Sequence, residues 1–571
     1  MSTGAAVIVE ELEKAGVQVC FGLPGVHNLA LWEALRTSSI RLVGVRHEQT
    51  AAYAADGYAR ATGRLGVALT TTGPGAANTL GGVGEAWASR SPILVIATDI
   101  PSALRRKGQY RGILHETAGQ ADMFRPVVKA VHVAHTAQHV AGAAAAAIHD
   151  AVAAPVRPVY LEISTDLLAA EVPRAREALP AEAIAAAAAA MATATSSPAA
   201  GAPEPGELVP PGGNGGPRLG APLPDHGVAD AVSRLQGAQR PLIWAGGGAR
   251  DAGAEIAALA DKLAAPVLTT YGAAGLLAGH RCLVGLPPHV EPAGRLWDEA
   301  DVVLAIGSDL DGVQTQNFAQ PQPPVLIAIA LEPPVNYRVD VALTGDAAVL
   351  TRQLAERVQR RDDDPGARIQ DARAQACGTL DAAALRFLDA IRFAVPGDGV
   401  LVVDMCVPGY WLAGFYTPAA PRKLQVPLGW GTLGYAFPAS LGAALAGAGP
   451  SVAICGDGGF MYAVGELATV AQEKIPLTAV IVDDGGYGML RYDQAKAGEE
   501  TYGVDLHTPD FAALAASFGI RAETVEGLDD AFGEALAQHV ADPEPSVLVA
   551  KTPTPLVPPP NTSPNWYRRR I

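Results

Sequence analysis

Two short runs place carboxylates where a buried strand should end. In "SVAICGDGGF" the apolar stretch Val452 to Cys455 stops at Gly456-Asp457-Gly458-Gly459, and "AVGELATVAQEK" follows with helical spacing. In "PLTAVIVDDGGYGML" a second apolar stretch stops at Asp483-Asp484 and runs on into Gly485-Gly486-Tyr487-Gly488. A buried strand rarely ends on carboxylates without a cation to neutralise them. Glycines at the carboxyl end of a parallel strand let backbone N–H groups approach a phosphate. A carboxylate among them repels that phosphate unless a metal bridges the two, and Mg²⁺ takes one or two carboxylates together with phosphate oxygens. A tight strand-to-helix turn would by itself account for GDGG. Asp484, 27 residues beyond Asp457 at the end of the next strand, reaches the same sheet edge and favours the metal.

The elements that must carry these groups follow from the apolar pattern. Short β-branched runs alternate with helical patterns in three segments, which predicts three α/β domains with doubly wound parallel sheets. "QVCFGL", "RLVGVRH", "GVALTTTGPG", "SPILVIATD" and "PVYLEIST" are strands of the first, expected over 1–178. An alanine run and "SSPAAGAPEPGELVPPGGNGG" predict a linker over 179–225. "RPLIWAGGGA", "APVLTTYG", "DVVLAIGSD" and "PVLIAIA" belong to a central domain, 226–358. After the charged break "RRDDDPGAR", the third domain, 375–555, holds "GVLVVDM" and "SVLVAKT" beside the two runs above. The proline-rich end, 556–571, is expected to be a tail lying on the surface. Segments one and three resemble each other in layout.

Bulk properties narrow the classes. A net charge of -16 argues against nucleic acid or an anionic membrane as partner. Five scattered cysteines without a CxxC exclude a disulfide scaffold and a thiolate zinc site. Glu10, Glu11 and Glu13 stand where a signal peptide would be apolar, and no apolar run reaches the ~18 residues of a membrane span, so a cytoplasmic location is expected.

With its spacing from GDG to a residue pair, the chain resembles thiamine diphosphate enzymes of the acetolactate synthase and pyruvate decarboxylase group. That resemblance implies Mg²⁺ ligands at Asp457, Asp484 and the Gly486 carbonyl. Gly456, Gly458 and Gly459, with Tyr487 and Gly488, would line the diphosphate. The departure is "DD" where the group has two asparagines. "RLVGVRHEQTAAYAADGYARATGRLGVALTTTGPGAANTL" resembles the pyrimidine-binding domain. The resemblance makes Glu48 the carboxylate that bonds the aminopyrimidine nitrogen and so activates the cofactor, a general acid/base role. In "LGWGTLGYAFPASLGAALA", Leu433 would prop the bent cofactor, and the Gly431 carbonyl and Leu433 N–H would bond the pyrimidine. Because the group builds its sites between chains, a homodimer at least, and a homotetramer by analogy, is implied.

The resemblance gives the chemistry as decarboxylation of a 2-oxo acid followed by protonation or by attack on a carbonyl acceptor. Val26 and Leu490 are apolar where pyruvate decarboxylases carry proton-transfer acids, which puts an acetolactate synthase-like carboligase first. The alternative is a decarboxylase releasing an aldehyde, or a lyase of diketones or acyloins. "GLPGVHN" and "ILHETAGQADMF" resemble bacterial decarboxylases of larger 2-oxo acids and make His115 a candidate proton donor. His27, Asn28, Gln120 and Met489 join Val26 and Leu490 as pocket candidates. Asp309 and Asp311 crowd "AIGSDLDG", so FAD is not expected, and GGG at 246–248 lacks the dinucleotide spacing. Glu48, Asp457 and Leu433 together argue against a non-catalytic relative.

Overall fold

The computed structural model describes residues 2–106, 108–172, 225–427, 429–447, 449–552 and 555–568. The expected linker falls outside them except for Asp225, which instead begins the helix Asp225–Gly237.

Three parallel sheets carry the chain. The first contains β1 (Val19–Gly22), β2 (Arg41–Gly44), β3 (Gly66–Thr70), β4 (Ile93–Asp99), β5 (Ala130–Ala134) and β6 (Val159–Ser164), in the order β2-β1-β3-β4-β6-β5. The central sheet contains β7 (Pro241–Ala245), β8 (Val267–Thr269), β9 (Val302–Ile306), β10 (Val325–Ala330) and β11 (Val341–Thr344), in the order β8-β7-β9-β10-β11. The third contains β12 (Val400–Val403), β13 (Leu424–Gln425), β14 (Ser451–Gly456), β15 (Leu477–Asp483), β16 (Arg521–Glu526) and β17 (Ser546–Lys551), in the order β13-β12-β14-β15-β17-β16. The first and third sheets thus share one topology. In both, the strand order reverses between the first and third strands of the unit. At such a switch point the loops diverge and leave a crevice at the carboxyl ends.

Four helices set the geometry there: α1 (Glu48–Thr62), α2 (Leu80–Ala88), α3 (Ala436–Leu445) and α4 (Gly488–Ala497). Twelve of the fifteen residues of α1 are buried, and α3 is apolar all round, so both are core helices rather than surface ones. They meet backbone to backbone. A Cβ on Gly57 would collide with the Ala439 carbonyl, and one on Gly442 with that of Ala54. One apolar cluster therefore runs from Phe21 and Val43 through Ala54, Tyr58 and Ala439 to Val402 and Ala453. A second joins Trp244 and Trp297 of the central unit to Trp411, Phe387 and Ile454 of the third.

Three expectations need correction. The strands of the three parallel sheets that the sequence pattern overlooked, β5, β11, β13 and β16, all lie at a sheet edge, where no continuous apolar run is required; Ser2–Thr3 and Glu171–Val172, also overlooked, form a separate antiparallel pair. Residue 375, the expected start of the third domain, lies inside the helix Gly366–Cys377, whose Arg373 bonds the carbonyls of Leu283 and Val284. The proline-rich end, expected to be a tail lying on the surface, is tied down at several points. Asn561 is buried and donates to Tyr271 Oη and the Tyr410 carbonyl. Trp411 Nε1 donates to the Val557 carbonyl, and Tyr567 fills the space beside Gly294. Proline prevents helix and sheet pairing but leaves side chains and carbonyls free to dock. Among the described residues no helix is long and apolar enough to cross a membrane.

Candidate active site

The crevice of the first sheet gathers three of the expected groups, Glu48, His27 and His115. Glu48 opens α1 and is 7% exposed. Its Oε2 accepts from Asn78 Nδ2 at 3.0 Å, and its Oε1 lies against Gly75, where a Cβ would come within 3.2 Å. Gly73, two residues earlier with φ +66°, backs onto His115. The His115 ring meets His27 edge to face at 5.3 Å between centroids. His27 Nδ1 bonds Thr72 Oγ1 at 2.8 Å, and Thr72 bonds Thr98 at 3.0 Å. Burial, with His115 close by, lowers the pKa of His27. His115 has φ +67°, a left-handed conformation that costs a non-glycine residue about 1 kcal/mol and clusters at functional sites. Its Nδ1 is buried with no hydrogen-bond partner among the described residues.

Two other candidates from this edge are engaged elsewhere. Asn28 is fully buried; its Oδ1 accepts from Gly25 N at 2.8 Å and its Nδ2 donates to the Leu23 carbonyl at 3.0 Å. Those bonds close the loop. Gln120 is likewise consumed: Oε1 takes the Gly73 N–H at 2.5 Å, and Nε2 lies 2.9 Å from the Thr98 carbonyl and 3.0 Å from Glu162 Oε2. Glu162, shielded from water and facing Asp99, has its pKa pushed up to about 7. Val26 is 65% exposed at the mouth of the loop.

The third sheet presents the opposite situation at its edge. Asp457 is 1% exposed. Oδ1 accepts from Gly458 N at 2.7 Å, but Oδ2 is buried without a hydrogen-bond partner among the described residues. Burial, with Asp484 and Asp483 nearby, pushes this carboxyl up to about 7. Asp484 is raised as well, chiefly by burial, with Arg491 opposing the shift; the guanidinium stands 4.0 Å away. The adjacent Asp483 bonds Thr508 only at 3.5 Å and pairs in register with Lys551. Gly486 sits in a backbone slot where a Cβ would strike the Val504 carbonyl. Asp457, with its orphaned buried oxygen, Asp484 and the Gly486 carbonyl offer hard oxygen donors of the kind Mg²⁺ takes. Tyr487 lies over Gly458, where a Cβ would meet its ring at 2.6 Å. Leu433 Cδ1 would lie 3.6 Å from a Cβ on Gly459, so the loop bearing Gly431 and Leu433 borders the expected diphosphate loop; Gly456 caps the short helix that starts at Asp457, and Gly488 begins α4. Met489 is partly packed into the core cluster shared with the central unit, whereas Leu490 is 51% exposed.

Sequence reasoning missed the residues that tie the two edges together. Glu466, buried and raised in pKa by that burial, accepts the backbone N–H groups of Arg46 and His47 at 3.0 Å each, holding the start of α1 from the third unit. Asp404, at the end of β12, repeats the strand-then-aspartate pattern of GDG, and that was the available signal. In the central unit Asp309 takes a two-point pair from Arg90 at 2.9 and 3.1 Å, and burial raises the pKa of Asp311.

Family models for the thiamine pyrophosphate enzyme N-terminal TPP binding domain, central domain and C-terminal TPP binding domain match residues 2–123, 228–354 and 404–550. The chain is 35% identical over 540 residues to a probable 2-ketoarginine decarboxylase of Pseudomonas aeruginosa, covering 92% of this chain and 90% of the relative. It is 28% identical to a probable acetolactate synthase large subunit of Methanocaldococcus jannaschii, over 95% of this chain and 91% of the relative. It is 27% identical to an acetolactate synthase of Bacillus subtilis, over 92% and 89%. The chain belongs to the thiamine pyrophosphate enzyme family, and its relatives include a probable 2-ketoarginine decarboxylase and acetolactate synthases.

Proposed function

We propose that this protein is a thiamine diphosphate- and Mg²⁺-dependent decarboxylase that releases CO₂ from a 2-oxo acid and protonates the product to an aldehyde. The observation that carries this reading is the His27–His115 pair beside Gly73 and Glu48, with a buried unpaired Nδ1 on His115. When bound, thiamine diphosphate supplies a nucleophilic carbon and an electron sink for loss of CO₂. Asp457, Asp484 and the Gly486 carbonyl would hold the metal, and Gly458, Gly459 and Tyr487 would border the diphosphate. Glu48, held by Asn78, would share a proton with the pyrimidine. Gly431 and Leu433 would orient the rings, a positioning effect of the kind worth several kcal/mol. His115 would deliver the proton that completes the aldehyde, with His27 packed against its ring. The 35% identity to a 2-ketoarginine decarboxylase supports the same reading and suggests a 2-oxo acid with a long polar tail.

Carboligation is the second reading, and the one the sequence alone ranked first. It draws on Val26 and Leu490, apolar and half-exposed or more, which could admit a carbonyl acceptor where decarboxylases carry acids. A homodimer accompanies both readings: Trp430, Met461 and Tyr462 remain exposed beside the loop of Leu433, and a second copy would cover them. The deciding experiment incubates the protein with Mg²⁺, thiamine diphosphate and either 2-ketoarginine or pyruvate, following CO₂ and product separately. Aldehyde alone supports decarboxylation. An acyloin or acetohydroxy acid as main product replaces it with carboligation, and no CO₂ from any 2-oxo acid rejects both.

A further inference from the structure

The loop between β13 and α3 carries Gly431 and Leu433, and two buried carboxylates grip it from opposite sides. Upstream, Glu85 of α2 is fully buried and its Oε2 accepts the Trp430 N–H at 3.2 Å. Its Oε1 takes Arg60 Nη2 at 3.0 Å and Ser89 Oγ at 2.9 Å, and Arg60 Nη1 reaches across to the Val426 carbonyl at 2.9 Å. The loop lies so close to α2 that a Cβ on Gly84 would enter the Trp430 ring and one on Gly429 would overlap Ala88. Downstream, Asp404 is 2% exposed. It accepts Met405 N at 2.8 Å and Gly434 N at 3.0 Å, and the N–H groups of Tyr435 and Ala436, at the start of α3, also face it. No cation pairs with Asp404 among the described residues; backbone dipoles alone offset its charge, which is a costly arrangement in a core.

That cost has a reason in the loop itself. Gly431 and Gly434 have φ of +66° and +81°, conformations that glycine visits freely but does not hold without outside restraint. A loop free to move by an ångström would lose the alignment on which a positioning effect depends. We propose that Glu85 and Asp404 act as a two-carboxylate clamp that fixes the 429–434 loop, and with it Gly431 and Leu433, in the geometry the cofactor requires. Both are positioning residues acting through the loop backbone, and the assignment rests on the reading above only in naming what the loop faces. The clamp also links the units: Glu85 belongs to the first, Asp404 to the third.

Amide hydrogen exchange of the cofactor-free protein tests the clamp directly. Glu85→Ala leaves Arg60 its partner Asp56, 2.8 Å away, and Asp404→Asn keeps the shape of the site, so each should fold; if one does not, the other carries the test. Either variant should speed exchange across 429–435 by ~tenfold or more while β12, α2 and the body of α3 stay protected. The dissociation constant for thiamine diphosphate with Mg²⁺, by titration calorimetry, should rise by a similar ~tenfold. Because both residues hold one loop, the double variant should lose less than the product of the two single effects. Unchanged exchange in the loop, or protection lost throughout the unit, overturns the clamp. Faster loop exchange in a protein whose wild type binds no thiamine diphosphate leaves the clamp standing and rejects the proposed function instead.

Discussion

The first and third sheets have the same strand order and open their crevices at the same topological point, yet they finish those crevices in opposite ways. At the first edge nearly every buried polar group is consumed. Asn28 closes its own loop, Gln120 joins Gly73 to Thr98 and Glu162, and Glu48 has Asn78. Left without a hydrogen-bond partner among the described residues are the Thr71 and Thr117 hydroxyls and an imidazole nitrogen of His115. At the third edge the leftovers include a buried carboxyl oxygen of Asp457 with a second aspartate beside it. On the proposed reading, one fold provides a proton-handling wall and a cation-binding wall, and the difference lies in a few residues following the same strands.

The largest test of that division is Asp457→Asn. Wild type should gain stability from Mg²⁺ with thiamine diphosphate, about 2.7 kcal/mol at a hundredfold excess over the dissociation constant. The variant should lose both that thermal shift and turnover. A retained shift would break the comparison at its strongest point. Glu48→Gln should separate the two walls: turnover falls by roughly 10²–10⁴, while the Mg²⁺-dependent thermal shift survives. If the shift disappeared too, the walls would not be independent.

Glu162→Gln probes the first wall by pH. The Glu162 pKa is about 7 in the folded chain, against about 4.3 unfolded, so the folded state holds its proton more tightly. Its favourable contribution is complete below the unfolded value and is lost as pH rises towards 7. The variant should flatten that decline in denaturation midpoints measured from about pH 5 to 8. An unchanged slope would mean another group sets it. The smallest effect is expected from Asp484→Asn, which keeps an oxygen donor and removes one charge from beside Asp457. Cofactor-free protein should gain ~1 kcal/mol or less, and Mg²⁺ affinity should fall less than ~tenfold. A larger drop in affinity would make the second aspartate a principal ligand.

Much of this was legible in the sequence wherever a residue and its neighbours decide the structure together. The apolar runs that end in GDGG and DDGG announced central strands, and Glu48 comes four residues beyond the end of the edge strand β2. Where the partner is distant, the pattern fell silent. Glu466 meets Arg46 N across 420 residues of chain, and Asp404 and Glu85 bind backbone groups, which carry no residue identity to read. Asn28 and Gln120 show the same limit: polarity is visible in a sequence, and the hydrogen bonds that engage it are not. The edge strands escaped for a related reason: β16, Arg521–Glu526, is largely exposed and needs no apolar run. The tail misled because proline argued against regular structure, not against burial.

The backbone contact between α1 and α3 makes Gly57 and Gly442 a kind of spacer gauge. Neither touches a candidate catalytic group, yet a single methyl at either position would wedge the helices that carry Glu48 at one end and follow Leu433 at the other. In a map of tolerated substitutions these two glycines should be as invariant as the reactive residues, and errors there would register as lost alignment rather than lost chemistry.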